Sequence, residues 1–392
     1  MHTVPIKGRG SLSNPVSRFQ AYTREARPDW AWPQSPEPAA TPLARQVGPV
    51  PQPRGPVVRL RGPAAEPVPA ASVPEAPRPR TTVTGEQARS IISRNSSPDI
   101  PFNQSVNAYR GCEHGCIYCY ARPSHAYLDL SPGLDFETRL YAKHNAAQVL
   151  RRELGRPSYT PQIIAMGTNT DPYQPIEKRL NITGQLLHVF DEFNHPVSIT
   201  TKSSLITRDI PRLARMARRN LVRVQLSIGT LDRELARRIE PRACTPAARL
   251  ETIRALRAAG IPVGVIIAPV IPGLTDYELE RVAIAAADAG AIEASYVLLR
   301  LPREVADLFQ EWLQTHYPMK AQHVMNLLRS MRSGKNYNSD FSQRMRGTGA
   351  YANMLHQRFR RICMRTGLNT RRIHTDTTAF RNPHEPLQLG LF

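Results

Sequence analysis

Between residues 103 and 316, six short apolar runs alternate with helix-like stretches, and this alternation limits the fold of the 392-residue chain more than any other feature. The runs 105–110, 162–167, 197–201, 222–228, 263–268 and 295–301 are rich in Val, Ile or Leu, as strands buried on both faces are. Helices are expected over 138–154, 183–193, 210–219, 246–259, 276–289 and 303–316, with Leu250, Ile253 and Leu256 marking one apolar face. Thr275 and Glu278, after the turn Pro272-Gly273-Leu274, read as a capping box. Six repeats of strand then helix imply parallel strands joined by right-handed crossovers. The fold class is therefore α/β, a barrel or an open sheet, with ligands gathering at the carboxyl ends of the strands.

The flanks differ from this middle region. Fifteen prolines fall between Pro28 and Pro79, and such a segment buries too little apolar surface to offset its ordering entropy. Residues 1–85 are expected to form a disordered, partly polyproline arm, residues 100–317 the core, and residues 318–392 a basic, mainly helical extension. The net charge of +20 is uneven: 13 basic and 3 acidic side chains lie in 318–392, against 26 and 22 in 101–317. Clustering of this kind suits a phosphate-rich partner such as DNA; a solvated Arg-rich face is the alternative. The longest apolar stretch, 261–273, is broken by three prolines and falls short of the ~20 residues of a membrane span. A cytoplasmic protein is expected.

Cys112, Cys116 and Cys119 place three thiols within eight residues, directly after the first apolar run. A ferredoxin ligates all four irons of a cubane with cysteine, so three local ligands leave one iron open. An open position is how metal sites admit a substrate. Structural zinc would need a fourth ligand, which His114 or His125 would have to supply. A disulfide fits five sparse cysteines poorly. Cys363, beside Phe359 and Ile362, reads as core.

The spacing C-x3-C-x2-C, with Tyr118 just before the last cysteine, resembles the signature of radical S-adenosylmethionine enzymes. The resemblance implies a partial (β/α)6 TIM-type barrel and a 4Fe-4S cluster on Cys112, Cys116 and Cys119. It further implies S-adenosylmethionine on the open iron, cleaved reductively to a 5'-deoxyadenosyl radical that abstracts hydrogen from a substrate, with electrons from a flavodoxin or ferredoxin. Tyr118 would shield the cluster edge. Thr168, Asn169, Thr170 and Asp171 would receive the methionine ammonium, Lys202 and Ser203 lie at the next strand mouth, and Ser227, Glu240 and Arg242 would reach ribose and carboxylate.

Runs 107–122, 167–171 and 201–203 resemble the spore photoproduct lyase-like branch, also described as DNA repair photolyase-like, over about residues 100–310. Photoproduct lyases use a further cysteine past the cluster to return hydrogen to the lesion. This chain departs from that pattern, with none between Cys119 and Cys244; Cys244, on a strand-mouth loop, reads either as the donor or as a small buried hydrophobe. Residues Gln388–Phe392 (Gln-Leu-Gly-Leu-Phe) resemble the peptide that docks bacterial polymerases and repair proteins on the DNA sliding clamp, where Leu and Phe anchors enter apolar pockets. Two other functions compete with a nucleic-acid enzyme: a non-catalytic metal-containing DNA- or clamp-binding adaptor, and a radical enzyme acting on a protein or small molecule.

Overall fold

The computed structural model describes residues 5–19 and 79–383. Its strands are β1 (Thr82–Glu86), β2 (Ile92–Arg94), β3 (Gln104–Val106), β4 (Tyr109–Arg110), β5 (Arg139–Lys143), β6 (Ile164–Met166), β7 (Val197–Thr201), β8 (Val222–Ser227), β9 (Val263–Val270) and β10 (Glu293–Leu298). The main sheet has the order β10-β9-β8-β7-β6-β3-β2. From β3 to β10 every neighbouring pair is parallel, and β2 lies antiparallel on β3. The strands cross the sheet in chain order with helices between them, so the six repeats read from the sequence form an open (β/α)6 sheet. Val197, Ile199, Val222, Val224, Val263 and Val265 are fully buried, as strands sandwiched on both faces require.

Three local expectations are corrected. Residues 138–154 are not one helix: 139–143 form β5, parallel to β1 and antiparallel to β4, and the helix begins at Ala146. The segment Arg-Leu-Tyr-Ala-Lys alternates, with Leu140 and Ala142 buried and Arg139 exposed, a period of two that selects a strand. The capping box does not form. Thr275 Oγ1 accepts from the Ile271 amide (2.8 Å), while the Glu278 carboxylate reaches back to the Thr230 hydroxyl and the Leu231 amide. Of the expected apolar helix face, Ile253 and Leu256 are buried but Leu250 is only half-buried.

Two parts of the arm expected over 1–85 are ordered instead. Residues 79–86 lead into β1, and Gly10, Ser11, Leu12 and Ser17 are buried against the core; residues 20–78, which hold the proline-rich part, lie outside the described residues. Composition averaged over the whole arm hides a short segment whose amides satisfy a buried carboxylate: Gly10 and Ser11 N–H donate to Glu137 (3.0 and 2.8 Å). Position 10 admits only glycine, because a Cβ there would collide with the Gly115 carbonyl.

Nor does a structural break fall at 317/318. The helices Pro318–Ser330 and Gly349–Thr366 pack into the same core through Val324, Leu328, Leu355, Phe359 and Ile362. Beyond them the chain straps the amino-terminal edge of the sheet. Asn369 N–H donates to the Ile292 carbonyl (3.0 Å), Asp376 N–H to Asn220 (2.8 Å) and Arg381 N–H to Phe193 (3.0 Å). Phe380 packs among Tyr159, Phe193 and His195. The Asn369 side chain pairs with both the N–H and the C=O of Ala294 (2.8 and 3.0 Å), covering the free edge of β10, where unpaired groups would otherwise invite association. Asn369→Ala is expected to cost about 1–3 kcal/mol, the penalty for orphaning these edge groups, read as a lower urea midpoint. An unchanged midpoint would show that the strap holds without this pairing. Among the described residues no helix is long and apolar enough to cross a membrane.

Candidate active site

The three cysteines occupy the loop after β4, at the carboxyl ends of the strands. None is in a disulfide; Cys112 and Cys116 are buried and Cys119 is half-buried. The loop is braced through its backbone. Arg122, fully buried, donates to the carbonyls of Cys116 (2.9 Å), Pro132 (3.0 Å) and Gly133 (2.9 Å) and to the Glu137 carboxylate. Gln174 accepts from Glu113 N–H (2.8 Å) and donates to the Gly111 carbonyl (3.2 Å). Gly115 turns with φ 65°, and a Cβ there would come within 2.7 Å of Glu137, so backbone conformation and crowding both require glycine. Burial, reinforced by Glu240, pushes the Cys116 thiol well up, with Lys202 pulling the other way. Burial also raises Cys119, with Cys112 adding to it.

The two histidines do not complete a zinc site. His114 Nδ1 faces Asp171 (3.3 Å), and the ring also hydrogen-bonds Cys112. Burial works against both charges, yet the pairing and hydrogen bonds prevail: His114 is pushed up to about 10 and Asp171 is held down to about 2. His125 commits Nε2 to the Arg139 carbonyl (3.0 Å). Among the described residues no three His, Cys, Asp or Glu side chains gather around one ion.

The polar loop after β6 is shaped by Asn107, whose side chain meets the Thr168 hydroxyl (3.1 Å) and accepts from the amides of Asn169 (3.0 Å) and Thr170 (3.3 Å). The expected ammonium acceptors thus separate into different roles. Thr170 Oγ1 donates to the Tyr109 carbonyl (3.3 Å) and the Thr168 carbonyl accepts from Tyr120. Asp171 accepts from Thr201 Oγ1 (2.7 Å), Lys202 N–H (2.8 Å) and Tyr173 N–H (2.9 Å) besides facing His114, so it acts as a brace between loops rather than an open acceptor. Ser203 is likewise spent on its own turn, accepting from Leu205 N–H (3.2 Å). Arg242 turns outward to pair with Glu113 (3.1 Å), lining a separate cavity of about 500 Å³ with Thr81, Lys178 and Arg179.

The remaining expected residues meet in one buried group. Glu240 accepts from the Tyr118 hydroxyl and from Arg249; Arg249, almost wholly buried, also donates to the carbonyls of Ser227 (2.8 Å) and Cys244 (3.0 Å). Ser227 Oγ donates to the Ala268 carbonyl (3.3 Å) and Cys244 Sγ to the Lys202 carbonyl (2.8 Å). Lys202 Nζ stands 6.0 Å from the Tyr118 ring centre. Burial opposes its charge, but Cys116 and Glu240 raise it overall. Sequence reasoning gave no role to Arg249, Arg122, Glu137 or Asn107. Asn107 and Arg122 stand at the ends of the run 107–122 that carries the resemblance, whereas Arg249 and Glu137 carry no signal, since a buried charged residue on a helix reads like a solvated one.

A sequence profile of the Radical SAM superfamily matches residues 106–285. A protein of Mycobacterium tuberculosis strain H37Rv, described as uncharacterised, is 42% identical over 232 residues, which make up 59% of this chain and 68% of that protein. The chain belongs to the radical SAM superfamily. An uncharacterised protein of Methanocaldococcus jannaschii is 26% identical over 221 residues, covering 56% of this radical SAM chain and 79% of its relative. A spore photoproduct lyase mutant solved with AdoMet and dinucleoside spore photoproduct superposes with a TM-score of 0.49 at 14% identity, over 73% of this chain and 80% of that one. Membership makes S-adenosylmethionine the cosubstrate of a radical SAM enzyme, and the cysteine loop lies inside the matched region.

Proposed function

We propose that Cys112, Cys116 and Cys119 hold a 4Fe-4S cluster one protein ligand short, and that the enzyme uses it to cleave S-adenosylmethionine and act on nucleic acid. One observation carries this: three thiols free of disulfides lie on a single preformed loop, and among the described residues no three metal-ligating side chains converge on one point. A cubane takes each cysteine on a different iron, so its ligands need not converge. Held by these thiols and reduced, such a cluster would supply the electron for reductive cleavage of the sulfonium and so the means of hydrogen abstraction.

The chain's own residues hold the geometry. Arg122 fixes the loop carbonyls, and His114, kept cationic by Asp171, donates to the Cys112 sulfur, a contact that tunes such centres. Lys202 gives the buried group around Glu240 a cation suited to a carboxylate, and the Tyr118 ring lies beside it. Cys244, bonded at the mouth to the Lys202 carbonyl, is the candidate hydrogen donor.

The nucleic-acid setting rests on the net charge of +20 and on the photoproduct-lyase-like runs 107–122 and 167–171. An electron donor of the flavodoxin or ferredoxin class and a cytoplasmic location complete the proposal. So does clamp docking through Gln388–Phe392, which lies outside the described residues. Anaerobically reconstituted protein is expected to bind one 4Fe-4S cluster, to change its visible spectrum on adding S-adenosylmethionine, and to form 5'-deoxyadenosine with dithionite. Tightly held zinc without iron, and no cleavage product, would favour the adaptor instead.

A further inference from the structure

Five aromatic rings are well exposed among the described residues, and three of them, Phe19, Tyr120 and Tyr127, gather at one place beside the cysteine loop. Phe19 and Tyr127 lie 5.3 Å apart at an interplanar angle of 32°, with the Arg18 guanidinium 4.8 Å from one ring centre and 5.3 Å from the other. Tyr120 immediately follows Cys119; its hydroxyl is held by the Thr168 carbonyl and its ring is covered by Arg300 at 4.8 Å. Between them opens a cavity of about 260 Å³, lined by Arg18, Tyr120, Ser124, Tyr127, Asn169 and Arg303.

The charges around this cavity are not all neutralised. Arg18 pairs with Glu304 (2.6 Å). Among the described residues Arg300 hydrogen-bonds only neutral groups, the Tyr337 hydroxyl (3.4 Å) and the Met345 sulfur (3.7 Å), its buried Nε has no partner, and the carboxylate within its electrostatic reach, Asp99, is already paired with Arg344. Arg303 is exposed, has no carboxylate partner among the described residues, and sits in left-handed backbone (φ 52°), a conformation that costs free energy and clusters at functional positions. Exposed rings interleaved with unneutralised arginines, around a hollow with room for one planar heterocycle, match what an unstacked nucleic-acid strand requires: stacking faces for bases and cations for phosphates.

We infer that this surface is a platform for single-stranded or flipped-out nucleic acid, which seats one base in the cavity between Tyr120 and Tyr127, with Arg300 and Arg303 on the flanking phosphates. The inference deepens the proposed function and rests on its nucleic-acid reading. It places the strand at the carboxyl ends of the strands rather than on the carboxyl-terminal extension. A base in a duplex has both faces covered and cannot enter.

The test is fluorescence anisotropy of a fluorescein-labelled single-stranded oligodeoxynucleotide of mixed sequence, titrated with full-length protein across a salt series. Tyr127→Ala is expected to weaken binding about tenfold, the usual effect of removing one stacking ring, while Tyr127→Phe keeps wild-type affinity. Tyr127 is exposed, so its loss does not threaten the fold. Arg303→Gln should lower the slope of log affinity against log salt by about one. Duplex of the same sequence binding as tightly as the single strand, Tyr127→Ala binding like wild type, or displacement of the oligonucleotide by S-adenosylmethionine would each overturn the platform. If wild-type protein shows the cosubstrate-induced spectral change but binds the oligonucleotide no better than the variants, the platform falls while the radical SAM chemistry stands.

Discussion

Cys116→Ala is expected to fold yet retain no iron above background after anaerobic reconstitution, and to release no 5'-deoxyadenosine with dithionite. The loop survives because its anchor is the Cys116 carbonyl, held by Arg122 at 2.9 Å, not the sulfur. The cluster does not survive, because a cubane that already lacks one protein ligand is left with two, and metal affinity at such sites depends on the full set of deprotonated thiols. Cys363→Ala provides the contrast. Cys363 is buried in the helix Gly349–Thr366 with Phe359 and Ile362, so its loss should leave iron content and cleavage intact. Iron assay and product chromatography on the two variants decide the matter, and iron retained by Cys116→Ala would remove the cysteine loop as the ligand set.

Glu137→Ala carries the second large expected effect. Glu137 and Arg122 are completely buried as a pair, and the carboxylate also takes the Gly10 and Ser11 amides. Removing it leaves the guanidinium with backbone carbonyls but no counter-charge, and two N–H groups without an acceptor. Breaking a buried pair on one side costs about 3–5 kcal/mol, a large share of the roughly 5–15 kcal/mol that holds a domain together. Urea unfolding should show this loss with an unchanged slope, together with faster proteolysis at residues 5–19. Glu137→Gln, which keeps an acceptor, should lose less. A midpoint within about 0.5 kcal/mol of wild type, the ordinary range for surface substitutions, would mean that the pair does not brace the loop.

The sequence made the sheet legible because buried parallel strands are written as apolar runs, and their parallel direction followed from the alternation with helices; their order came from the structure. The cysteine loop was legible because three thiols so closely spaced have few other uses. The bracing was not, because Arg122–Glu137 and Arg249–Glu240 form in space between residues that look solvated in a linear reading. At the carboxyl-terminal end, too, a linear count does not separate arginines that hold the fold together from those left to a partner. Arg332 is buried against the Leu299 and Gln343 carbonyls, Arg344 pairs with Asp99 and Arg358 with Glu280, so part of that basic excess is structural cement. Asp171 shows the converse error. A carboxylate at a strand mouth suggests an open acceptor, whereas its oxygens are already occupied.

The strap that passes Ile292, Asn220 and Phe193 ends at the base of the sheet, on the side opposite the thiols. The described chain therefore leaves the fold beneath the face that carries the cysteine loop. Whatever is held at that underside and whatever enters above the thiols would approach from opposite directions, so anchorage and turnover would not compete for one surface.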